Sequence, residues 1–166
     1  MEVRVSRKIT SWVKCRIAET LVERIFYESG YKIRLAATWK CASLEQMRKR
    51  NQPFKYEGDL PDYLISESSC EPEWLEVKYK HDGATYGDET ELREQCQKFG
   101  YDPKTRFNIV LVTSKKPPYF WVVRSPYFEG VNLAGRIPIE EGGWRLNEPA
   151  LRECERLIGA GIFNWR

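Results

Sequence analysis

A chain of 166 residues with 42% hydrophobic and 13% aromatic residues is one domain able to bury a core unaided, which excludes an intrinsically disordered protein. With 27 Lys and Arg against 24 Asp and Glu, the net charge of +3 permits a nucleic-acid partner without demanding one. A single histidine, 5 scattered cysteines without a CxxC pair and no Gly-rich phosphate loop exclude paired-Cys zinc or iron–sulfur sites, nucleases with several His ligands, and a bound nucleotide cofactor.

From the N-terminus, Met1 to Lys8 holds no secretory apolar stretch and no run reaches membrane-span length, so a cytoplasmic protein with mostly buried, reduced thiols and no membrane partner is expected. Ser11 to about Glu28 is predicted as the first helix: Ile17, Ala18, Leu21, Val22, Ile25 and Phe26 recur at the helical period, Ser11 can cap it and Gly30 ends it. Glu19 falls at the margin of that apolar stripe, where an acid can point at a neighbouring sheet. Glu23 falls further toward solvent and reads as a solvated acid beside basic neighbours.

Tyr31 to Ala36 alternates as a strand, and Ala42 to Arg50 is a short helical or irregular segment. Its end, Arg48-Lys49-Arg50, could touch a phosphate backbone, although a run of three charges also fits solvated surface. Asp59 follows Gly58 in a turn, so turn chemistry explains it.

Leu60 to Ser66 and Glu73 to Lys80 alternate at period two around the polar turn Glu67-Ser68-Ser69-Cys70-Glu71-Pro72, which predicts an antiparallel hairpin. Centred near Ser69, it sets Asp62 opposite Glu76. Leu75, Val77 and Tyr79 then point to the core, and Trp74, Glu76, Lys78 and Lys80 to the other face. Two carboxylates and an ammonium so placed repel unless a cation is shared between the acids.

Beyond the hairpin, His81 to Gly87 reads as a loop, with no nucleophile elbow to make His81 part of a Ser-His-Asp set. Asp88 or Thr90 can cap a helix running to about Phe99, which carries Gln95 and Gln97, with Tyr101 just past its end. Phe107 to Thr113 is a near-continuous β-branched run, hence a central strand covered on both faces. Tyr119 to Arg124 is another strand, and about Glu148 to Ile158 a last helix with Leu151, Cys154, Leu157 and Ile158 inward. The expected architecture is an α/β domain with a mixed sheet flanked by helices, a core over about 11–124 and a C-terminal extension.

Pro61-Asp62, followed after a turn by Glu76-Val77-Lys78, resembles the PD-(D/E)xK signature of the restriction-endonuclease-like nucleases, and the element order from Arg16 to Thr113 is similar to their core. The stretch Arg16 to Glu23 resembles the helix that carries an assisting acid in archaeal-type members, with Glu19 the better match. Gln97 and Tyr101 have the Q-x-x-x-Y spacing of RecB-like members, with Gln95 an equal competitor for a site-facing glutamine.

The resemblance implies a Mg²⁺-dependent DNA endonuclease, with Mn²⁺ as substitute. Asp62, Glu76 and the main-chain oxygen of Val77 would hold the metal, with Glu19 assisting. Lys78 would orient or deprotonate the attacking water, and Lys80 would meet the scissile-strand phosphate. It also implies a homodimer, and Holliday-junction-resolvase-like action on branched DNA is one variant. The competing reading is a non-catalytic nucleic-acid-binding or assembly protein of the same fold, using Tyr119, Trp121, Tyr127 and Phe128 for stacking or an interface.

Overall fold

The computed structural model describes residues 7–35, 62–68, 70, 72–83, 107–125 and 135–164. Arg48-Lys49-Arg50, Asp59, Gln95, Gln97, Tyr101, Tyr127 and Phe128 lie outside them.

Helix α1 spans Arg7–Glu28, starting four residues before the cap expected at Ser11. Its C-terminus is as read: Gly30 adopts φ +85°, a conformation that suits glycine, and Tyr31 N–H closes onto Phe26 O at 3.1 Å. Among the described residues six strands follow, β1 (Lys32–Leu35), β2 (Tyr63–Ser66), β3 (Glu73–Tyr79), β4 (Phe107–Val112), β5 (Phe120–Ser125) and β6 (Ile137–Pro138). Helix α2, Glu148–Gly159, is capped by Asn147, whose side-chain oxygen accepts from Ala150 N–H at 3.0 Å.

The strands lie in one sheet in chain order. Every neighbouring pair is antiparallel except β3 and β4, which run parallel. A parallel pair needs a crossover, and the chain between them includes the segment expected to hold the 88–99 helix. The result is a mixed α/β sheet with two helices against it among the described residues. No helix of the described residues is long and apolar enough to cross a membrane.

The core forms on the face that carries Leu75 and Val77 of β3, Val110 and Val112 of β4 and Phe120 and Val122 of β5. Ala18, Val22, Ile25 and Phe26 of α1 and Leu151, Cys154 and Ile158 of α2 pack onto it. Phe26 meets Trp144 edge-on, ring centroids 4.9 Å apart. Strand β4 is buried on both sides, as its β-branched run suggests: Ile109 and Leu111, of opposite parity to Val110, are also inaccessible. The cysteines follow expectation only in part, with Cys154 buried, Cys15 half-buried and Cys70 exposed.

Candidate active site

The site is built by the hairpin register. Tyr63 pairs with Leu75 and Leu64 with Trp74, a pairing centred on Ser69. Carried one residue further, it sets Asp62, in the bend before β2, opposite Glu76. The Asp62 carboxylate then turns to the main chain of β3, where its Oδ2 accepts from Val77 N–H at 2.8 Å. Within an extended strand the N–H and C=O of one residue point to the same side, so the Val77 carbonyl faces the Asp62 side as well.

Glu76 lies beside this carboxylate and is only 8% exposed. Burial, and next the negative charge of Asp62, push its carboxyl up to about 7, while Lys78 opposes the rise. The Lys78 ammonium stands 3.0 Å from Glu76 Oε1 and keeps partial access to solvent. Three of the predicted residues therefore converge: an acid fixed by a backbone bond, a buried acid that resists ionisation, and a cation between them and solvent.

Glu19 approaches from α1. Burial and then the charge of Asp62 raise its carboxyl above the ordinary range, against an ion pair with Arg16. Its nearness to Asp62 matches the sequence expectation. Glu23 does not stand as a merely solvated acid, because the buried Tyr63 hydroxyl donates to its Oε2 at 3.2 Å and ties α1 to the strand that begins next to Asp62. Burial and the nearby Glu23 push the Tyr63 phenol up. Cys15, one helical turn before Glu19, was not foreseen at the site. Burial and the charge of Glu19 raise its thiol, with Lys78, Asp62 and Lys80 also within electrostatic reach. Its i, i+4 spacing from Glu19 was the available signal.

A divalent ion fits this set for a reason visible in the side chains: two neighbouring carboxylates, one desolvated, hold more negative charge than one lysine offsets. Among the described residues no group of three or more His, Cys, Asp and Glu is arranged to hold a metal. Asp62, Glu76 and the Val77 carbonyl are the protein oxygens that could hold such an ion, the ligand style of Mg²⁺.

A second polar cluster, also unforeseen, sits at the opposite end of β3. Glu73 accepts two bonds from the Arg124 guanidinium at 2.7 and 2.9 Å, one from Asn108 at 3.1 Å and one from the Trp144 indole at 3.2 Å. Arg124 also donates to Asn108 Oδ1 and Gly142 O and lies over the Trp144 ring. A half-open pocket of about 130 Å³ borders Glu73, Arg124 and Trp144. Because those charges are matched to one another, the cluster fastens β3, β4 and β5 together. The aromatic surface expected of the competing reading is reduced: Tyr119 and Trp121 are half-buried, and the Arg136 guanidinium lies 5.3 Å from the Trp121 ring centre.

No family model matches the chain, and no curated protein is similar to it.

Proposed function

We propose that this chain is a divalent-metal-dependent DNA endonuclease that hydrolyses phosphodiester bonds at Asp62, Glu76 and Lys78, with Glu19 assisting and a restriction-endonuclease-like core as the scaffold. The observation that carries this reading is the Glu76 carboxyl, buried against Asp62 and paired with Lys78. A chain gains nothing in stability by holding a buried acid near a second acid, so the arrangement makes sense as a cation seat. Bound there, Mg²⁺ or Mn²⁺ would polarise the phosphodiester and acidify a water molecule.

The remaining chemistry belongs to the side chains. Asp62 is held in place by the Val77 amide, so its second oxygen is aimed rather than mobile. Lys78, partly solvated and one pleat beyond Glu76, orients the attacking water and, as an ammonium, neutralises charge on the pentavalent phosphorus, while the water's proton leaves to solvent. Glu19, near enough to feel the charge of Asp62, positions water beside it. Cutting both strands symmetrically needs two such sites, so a homodimer belongs to the proposal.

The test is nicking of supercoiled plasmid and of a four-way junction with Mg²⁺ and with Mn²⁺. Wild-type protein should cut and Glu76→Ala should not; a correctly folded Glu76→Ala variant with full activity would refute the assignment. Preference for the junction over the linear duplex would identify the resolvase-like variant.

A further inference from the structure

Beyond Lys78, strand β3 ends at Tyr79 and the chain continues through Lys80 into a turn at His81, Asp82 and Gly83. This turn is fastened to the β4–β5 turn by several bonds. Ser114 and Lys115 N–H both donate to His81 O, at 3.1 and 3.0 Å, and Lys80 N–H donates to Val112 O at 3.0 Å. The side chains repeat the join: Ser114 Oγ lies 2.9 Å from His81 Nδ1 and 2.8 Å from the Tyr79 hydroxyl. Two turns distant in sequence are thus locked side by side, presenting exposed Lys115, Lys116 and His81 next to half-buried Lys80. Asp82 is the acid of these two turns.

We infer that the paired turns, through Lys80, Lys115 and Lys116, form a track for the phosphate backbone of duplex DNA flanking the bond to be cut. The inference rests on the nuclease reading, since it is the carboxylate–lysine site that makes a phosphodiester the expected occupant of the adjoining surface. The spacing suits it: from Lys78 to His81 is three residues, about 10 Å of extended chain. At a rise of 3.4 Å per nucleotide, that is about three nucleotides from the reacting bond. The join also holds the main chain that carries the cations in place, so less backbone freedom is lost on binding.

The experiment compares duplex binding in EDTA over a range of salt for wild type, Lys115→Ala/Lys116→Ala and a control, Lys32→Ala/Arg34→Ala, whose cations are exposed on the edge strand β1. Each lost phosphate contact lowers the slope of log K against log salt by about 0.9, so the turn variant should lose about 1.8 and the control nothing. With Mg²⁺ the turn variant should need more DNA than wild type to reach half its maximal nicking rate, a rise in KM. An unchanged slope, an equal loss in the control, or equally lysine-dependent binding to phosphatidylserine vesicles would overturn the track. A lysine-dependent slope in a protein that cuts nothing would keep the track and end the nuclease reading.

Discussion

Glu76→Gln keeps the size of a buried side chain while deleting the charge that its surroundings resist. In the unfolded chain this carboxyl titrates in the ordinary range, whereas in the fold it holds its proton up to about 7. Between those values the folded protein binds more protons than the unfolded one, so raising the pH through that window destabilises it. The stability is fully present below about pH 4.5 and is lost as pH climbs through about 7. At about 1.4 kcal/mol per pKa unit, the step from 4.5 to about 7 is worth roughly 3 kcal/mol. It belongs to the Asp62–Glu76 pair rather than to one acid.

Glutamine forfeits the ion pair with the partly solvated Lys78, which costs at most about 1 kcal/mol. The variant should therefore be about 2 kcal/mol more stable than wild type at pH 8 and no more stable at pH 4.5. Urea unfolding in EDTA from pH 4.5 to 8 measures this, and for a chain of this size the pH 8 gain should appear as about 4–8 °C in Tm. Adding Mg²⁺ at pH 8 should stabilise wild type and leave Glu76→Gln unchanged. Parallel pH profiles for the two proteins would refute the argument, because they would mean that Glu76 ionises as easily folded as unfolded.

Asp62→Asn retains an oxygen for the Val77 amide, so the fold should hold while calorimetry shows Mg²⁺ binding lost. Lys78→Met should leave metal binding in place and cut the plasmid-nicking rate by about 10² or more, the usual size of losing one donor to the transition-state charge. Arg124→Ala strips Glu73 of its charged partner in a part-buried site and should cost about 2–4 kcal/mol in urea unfolding, with Glu73→Gln in the same background restoring part of it. Tyr63→Phe, which deletes the bond to Glu23, should cost about 1 kcal/mol by the same measurement.

The hairpin was legible because alternation and turn chemistry are local: a turn centred on Ser69 places Asp62 against Glu76, and the observed pairing of Tyr63 with Leu75 has that centre. Central β4 was legible for a similar reason, since burial on both faces leaves an unbroken β-branched run. What escaped depends on contacts between distant segments. Glu73 reads as one more polar residue in an alternating strand, and only the fold brings it to Arg124, 51 positions away, and to Trp144, 71 away. The helical wheel alone sends Glu23 toward solvent and carries no information about the Tyr63 hydroxyl. The burial of Glu76 was equally hidden: period two assigns it a face and cannot say that the face is covered. The early start of α1 at Arg7 shows that the first plausible cap in a sequence need not be the one used.

The four-way clamp on Glu73 has a mechanical consequence for the other end of its strand. Sliding β3 by a single position would invert every side chain along it, and would also tear Glu73 from partners on three other segments. The mutual repulsion of the acids therefore has no route of escape through slippage, and under the proposed function it is what a doubly charged guest would relieve. Loosening the clamp with Arg124→Ala should thus weaken Mg²⁺ uptake from a distance, without altering any atom that would touch the ion.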